Sequence, residues 1–295
     1  MKTRLLYPAL VLALMSASSS HAQHSTTDRV SDESTAVAAL ALSVWDVDGP
    51  LSVTGLRLDL HAQYMHELPV GNVGGFVMLP LSYAILGADD MPGMNISIDN
   101  ELDMGNLELG AAFARGGLMA ALPLRVVGRV GIAIGTADDE DTEPAGFDGF
   151  GNQSTVFARI TDTALTVPDS TWLRMSIAAL GEIHGIEFRT DLGVDVPLAD
   201  DETTNVDPIG RLNLAAVYHF GPAGLGAEVS TVMGLGDTPD GADRYFHTAA
   251  VVATSRVIRG ITPTLGLIFP LDEAIRDLGH DFSIALGVQG TLPQP

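Results

Sequence analysis

The chain of 295 residues is 46% hydrophobic with a mean hydropathy of +0.25, yet its formal net charge is −22 and it contains no cysteine. The missing cysteine excludes disulfides, thiolate metal sites, cysteine nucleophiles and lipid attachment through a lipobox cysteine. The acidity excludes nucleic acid as a partner, because phosphate binding rests on clustered Lys and Arg, while the high hydropathy calls for apolar surface facing something other than water.

Lys2 and Arg4 precede an apolar run from Leu5 to Met15, and the small-residue stretch Ser16 to Ala22 ends in Ser20, His21, Ala22. That pattern is an export signal with an A-x-A-like cleavage site over residues 1–22, and the run is too short for a membrane anchor, which needs about 20 apolar residues. Its removal takes away both basic residues and moves the net charge from −22 to −24. Residues 23–35 read as a polar, mobile leader, and residues 36–295 as a single barrel domain.

From residue 36 onwards, alternation with period two dominates. Leu56, Leu58, Leu60, Ala62 and Tyr64 oppose Arg57, Asp59, His61 and Gln63. Ile186, Phe188, Thr190, Leu192, Val194 and Val196 oppose Glu187, Arg189, Asp191, Gly193 and Asp195. A helix would mix those two sets, whereas a strand sends them to opposite faces. Strands are predicted at 36–46, 52–65, 72–86, 104–115, 119–135, 171–182, 184–197, 208–220, 223–236, 244–258, 261–270 and 281–292. The first is rich enough in Ala and Leu for a helical start to compete. About twelve segments of about ten residues, separated by turn signals, predict an all-β fold: a closed antiparallel transmembrane β-barrel with both ends on the periplasmic side.

Connection lengths alternate. Gly116 to Leu118, Glu182 to His184, Gly221 to Ala223 and Arg259 to Gly260 are tight and read as periplasmic. Residues 87–103, 136–170, 198–207, 237–243 and 271–280 are long and read as external loops. The long set holds Asp89, Asp90, Asp138, Asp139, Glu140, Asp141, Asp200 and Asp201, which predicts an acidic outer mouth. The run from Asp138 lacks the spacing of a calcium loop and reads as a solvated charge run. Trp45, Tyr64, Tyr83, Trp172, Tyr218, Phe220, Tyr245, Phe246 and Phe269 fall mostly near strand ends, where interfacial girdles sit.

The polar faces of the strands would line the lumen with Arg57, Asp59, His61, Glu108, Arg125, Arg129, Arg174, Glu187, Arg189, Asp191, Arg211 and Glu228. Such a lumen is either a constriction with a transverse field or a closed interior filled by interstrand ion pairs, and small inward residues favour the narrow pore.

Three segments carry a resemblance. Asp103 to Ala111 reads D-M-G-N-L-E-L-G-A, Arg125 to Thr136 runs into an acidic loop, and Phe269, Pro270, Leu271 and Asp272 end a late strand. These segments are similar to the phenol-degradation (MetA-pathway) family of transporter-like outer-membrane proteins. The resemblance implies uptake of small compounds, aromatic ones included. The chain departs from that pattern at Ile134 to Ala137 and in lacking a terminal aromatic residue.

No cofactor or metal is expected, since the histidines show no H-E-x-x-H or H-x-H spacing. Asp59 and His61 share a face, but no G-x-S-x-G elbow supplies a nucleophile, so the chain reads as a non-enzyme. The expected function is a narrow channel or transporter for small solutes with modest cation preference. The alternative is a structural or adhesive barrel without an open pore. Expected partners are outer-membrane lipid and lipopolysaccharide, small solutes and the barrel assembly machinery.

Overall fold

The computed structural model describes residues 31, 33–46, 51–88, 102–116, 124–136, 156–167, 170–199, 207–236, 244–255, 261–277 and 280–292. In chain order the elements are β1 (Thr35–Asp46), β2 (Leu51–Leu68), β3 (Gly71–Ala88), β4 (Leu102–Met104), β5 (Leu107–Gly116), β6 (Arg125–Ile134), a 3-10 segment (Val156–Leu165), β7 (Thr171–Ile183), β8 (Ile186–Ala199), β9 (Ile209–Phe220), β10 (Ala223–Gly234), β11 (Tyr245–Ser255), β12 (Ile261–Pro270), α1 (Glu273–Asp277) and β13 (His280–Thr291). Each strand pairs antiparallel with its sequence neighbours, and β1 pairs with β13, which closes the sheet. Thirteen segments make twelve barrel strands, because β4 and β5 are two pieces of one strand facing β3. Closure leaves no unpaired edge, the condition for a sheet to stand in hydrocarbon.

The faces follow the alternation. Along β2, Arg57, Asp59, His61, Gln63 and Met65 are buried, while Leu58, Leu60 and Tyr64 are exposed on the outside. The outside carries large apolar side chains all round the barrel, among them Phe113, Ile132, Ile177, Leu192, Leu214, Val251, Leu265 and Leu286. A soluble surface rarely exposes a continuous apolar patch of that extent, and a lipid-facing barrel requires it.

The two-residue turns Pro69–Val70, His184–Gly185 and Gly221–Pro222 all lie at one end of the barrel. His184 and Gly185 both take positive φ, as a type I′ hairpin needs. The residues that flank β1 and β13 meet at the same end: Leu292 N donates to Ser34 O, and Gln63 Nε2 donates to Ser31 O and Glu33 O, so the last residues before β1 are held against the barrel.

Two sequence expectations are refined. Strand 119–135 starts at Arg125, with residues 119–123 outside the described set. Strand 104–115 is broken at Gly105–Asn106. The break has a cause in β3, where Pro80 has no N–H to give its neighbour. Met104 faces Leu81 and Glu108 faces Met78, so the broken strand carries one extra residue, a β-bulge. Gly105 N still donates to Pro80 O at 3.0 Å, but Asn106 N turns away to Leu165 O at 2.8 Å. Only glycine fits at 105, since a Cβ there would lie 2.5 Å from Leu165 O and 2.7 Å from Pro80 Cγ. The bulge thereby aims Asn106 at the long connection that enters the barrel.

Candidate functional site: the lumen and its inner segment

The 136–170 connection, expected to lie outside, returns into the lumen at Val156–Leu165. The sequence VFARITDTAL has no strand alternation. Its Thr163 and Thr166 hydroxyls donate to the carbonyls of Ile160 and Thr163 three residues back, and Thr166 N also donates to Thr163 O, so side chains and backbone together satisfy the tight turns. Kinks at Arg159 (φ −146°, ψ 61°) and Asp162 (φ −107°, ψ 19°) release these two residues from helical spacing.

Apolar contacts seat the segment. Ala158 packs with Ala41, Ala250, Val252, Ile268 and Ala285. Ile160, Ala164 and Leu165 pack with Met78, Ala133, Trp172, Ile209 and Val232. Asn106 pins its end: the fully buried amide donates from Nδ2 to Ala164 O at 3.0 Å and Val167 O at 2.8 Å, while its Oδ1 accepts from Thr136 N at 3.2 Å. Trp172 is fully buried, with its indole N–H on Ser170 Oγ at 2.7 Å, so it belongs to this seat and not to an interfacial girdle. Tyr64, Tyr218, Phe220, Tyr245 and Phe269 are exposed on the outside. Trp45 has a side chain outside the described set.

Charges complete the attachment. Asp59 accepts from Arg57 Nε at 2.9 Å and pairs through its other oxygen with Arg159 of the inner segment. Asp162 stands 3.7 Å from Arg57 Nη2 and 3.3 Å from Arg174 Nη2. Arg174 also donates to Glu108 Oε2 at 2.6 Å, Asp195 Oδ1 at 3.3 Å and the carbonyl of Thr161 at 3.0 Å. Arg211 closes the series on Asp195 at 2.8 Å. Among the described residues, Arg57, Arg159, Arg174 and Arg211 thus meet Asp59, Glu108, Asp162 and Asp195 in one connected network spanning β2, β5, β7, β8, β9 and the inner segment. In the low-dielectric interior of a barrel, each member depends on its partners, and removing one strands the other as an unpaired buried charge.

All twelve residues expected to line the lumen lie on the inward face of their strands. Arg57, Asp59, Glu108, Arg174 and Arg211 join the network. Glu228 accepts from Asn213 Nδ2 at 2.7 Å, and Arg189 and Asp191 are buried on β8. His61 accepts from Arg129 Nη2 at 3.5 Å, and the Arg129 guanidinium lies 3.8 Å over the Phe76 ring, a cation–π contact. Glu187 pairs with His219 at 3.3 Å near the turn end, and Arg125 is half-buried on β6. Asp59 thus meets two arginines, and His61 meets Arg129. A cavity of about 40 Å³ lies between the inner segment and the charged wall, lined among others by Glu108, Arg129, Asp162, Arg174, Asp191 and Asn213. That is room for a few water molecules among polar partners. The acidic mouth residues Asp89, Asp90, Asp138, Asp139, Glu140, Asp141, Asp200 and Asp201 lie outside the described residues, as do residues 1–22.

Sequence reading missed Asn106, Arg159 and Asp162. Only Asn106 had a signal, the D-M-G-N stretch in which Gly105 and Asn106 interrupt the alternation.

No family model matches the chain, and no curated protein matches it in sequence. Among solved structures, the chain is similar to the COG4313 outer membrane channel from Pseudomonas putida F1, with a TM-score of 0.65 and 13% identity over 92% of this chain and 100% of that one. Looser overlaps include the NanC porin (TM-score 0.44, 10% identity, 88% of this chain and 100% of that one). Another is the outer membrane phospholipase A from Escherichia coli (TM-score 0.45, 9% identity, 88% and 92%). At these identities the likeness is one of fold: a closed antiparallel barrel of the outer-membrane type.

Proposed function

We propose that this chain is exported through residues 1–22, resides in the outer membrane and acts there as a narrow channel for small solutes. The observation that carries the reading is the network of both charge signs beside a polar cavity. A barrel interior built only for stability gains little from buried ion pairs, which hydrophobic side chains of similar volume often replace without loss. A constriction with both charge signs orients polar solutes as they pass. The family resemblance and the likeness to an outer membrane channel point the same way. The acidic external connections add a modest cation preference that fades as salt rises, because the Debye length is only about 10 Å at 0.1 M.

A second reading, a structural or adhesive barrel, is favoured by the inner segment itself, which fills the room that the small inward residues leave.

Planar-bilayer recording on purified protein separates the two. The channel reading expects a small conductance with a cation-selective reversal potential in a salt gradient; no conductance favours the structural barrel. Orientation is checked on intact cells, where an impermeant maleimide is expected to label Arg276→Cys and to miss Val70→Cys at the turn end.

A further inference from the structure

On the outer face, one cross-strand row runs Met175, Val194, Gly210, Met233, Tyr245 over β7 to β11, each residue directly opposite the next. Glycine at its centre leaves a trough of about 650 Å³ with an almost wholly apolar lining, a volume within the range of ligand sites. The strands beneath are paired in unbroken register from Met175↔Val194 to Met233↔Tyr245, so the trough is a dent in the outer wall and not a hole through it.

The trough is apolar along its length, and polar side chains stand beyond its rim at one side only. On β9 to β11 it lies at the strand ends, since Gly210 is the second residue of β9 and Tyr245 the first of β11; on β7 and β8 it reaches mid-strand, between Ile177 and Leu192. At the strand-end side Arg244 is exposed, with its carbonyl bonded to Gly234 N and its Nη2 on Gly236 O at 3.3 Å. The Asp207 carboxylate packs on Gly236, and Thr231 Oγ1 meets His247 Nδ1 at 2.9 Å. This end is the one opposite the turns, the external end of the barrel.

We infer that the trough is a binding site for a phosphorylated glycolipid of the outer leaflet. One acyl chain lies over Gly210 towards Ile177 and Leu192, the phosphate faces Arg244, and sugar hydroxyls face Asp207. The inference rests on the membrane reading above. An apolar trough in a lipid-facing wall takes a chain, and a guanidinium at headgroup height takes a phosphate.

The test uses full-length protein purified in detergent, incubated with lipid A or phosphatidylglycerol and examined by native mass spectrometry. One lipid A per chain is expected to be retained in preference to phosphatidylglycerol. Gly210→Phe, which fills the trough, abolishes retention, while Ala111→Phe on the outer face of β5 leaves it intact. Arg244→Ala weakens it by about tenfold, the loss of one charge-assisted hydrogen bond. Equal retention of both lipids, or retention unaffected by Gly210→Phe, overturns the site. A gel of unheated against boiled samples separates the two readings: equal mobility overturns the membrane reading and the lipid site together, whereas heat-dependent mobility without lipid retention overturns the lipid site alone.

Discussion

The two walls of the lumen are built from different materials. From β11 through β13 to β1 the buried inward positions include Thr248, Ala250, Val252, Thr262, Ile268, Ser283, Ala285, Gln289, Ala39, Ala41 and Ser43, with no Asp, Glu, Lys or Arg among the buried residues described there. Across the lumen, β2 and β5 to β10 present Arg57, Asp59, Glu108, Arg129, Arg174, Arg189, Asp191, Asp195, Arg211 and Glu228. The inner segment joins them. Ala158 sits on the small-residue wall, which has the space to receive a backbone, and Arg159 and Asp162 reach into the charged wall, which has the partners to hold them. One wall therefore supplies room and the other supplies attachment, and neither alone would position the segment.

The sharpest way to break this division is to remove a charge. Asp59→Ala leaves Arg57 and Arg159 facing each other without their shared carboxylate, and a one-sided deletion of a buried pair costs about 3–5 kcal/mol. The temperature at which the protein loses its heat-dependent gel mobility is expected to fall well below wild type. Asp59→Asn, which keeps the volume and one of the two acceptor oxygens, is expected to fall less. An unchanged temperature for Asp59→Ala would mean the network is hydrated and not a latch.

The small-residue wall is probed by overfilling it. Ala285→Leu puts a larger side chain where Ala158 rests, and overpacking costs about 1–3 kcal/mol. The segment, held from one side only, is expected to become accessible, read as faster trypsin cleavage after Arg159 than in wild type. Asn106→Ala removes the amide that holds Ala164 and Val167, leaving buried carbonyls unsatisfied at about 1–3 kcal/mol. Cleavage is again expected to accelerate with the barrel intact. The smallest effect belongs to the turn end: Glu187→Gln breaks a partly exposed pair with His219 and is expected to shift stability by less than about 1 kcal/mol.

The same comparison explains what could be read from the chain. Strand alternation made β2 and β8 legible residue by residue, because Leu58 against Asp59, or Leu192 against Asp191, differ in where they are stable. It also brought Arg57, Glu108, Arg174 and Arg211 to one face. Alternation says nothing about a segment buried on every side, as Ala158, Arg159, Ile160 and Thr161 are in succession. Nor can spacing pair Arg159 with Asp59, which lie on opposite flanks of four intervening strands in the chain. The small residues Ala39, Ala41, Ala250 and Ala285 read as space for a pore, and that space is occupied by the protein's own backbone. Trp172 was misplaced for a related reason: its position near a strand end suggested an interface, whereas its parity with Arg174 sends it inward.

The central claim, that charges hold the inner segment across the lumen and set its bore, is tested most directly by single-channel conductance of Arg159→Ala/Asp162→Ala beside wild type. Both variant residues lie in the segment, so the wall charges remain. A small conductance in wild type that rises several-fold in the double variant is the expected result. Equal conductance in the two proteins, or none in either, would contradict the claim.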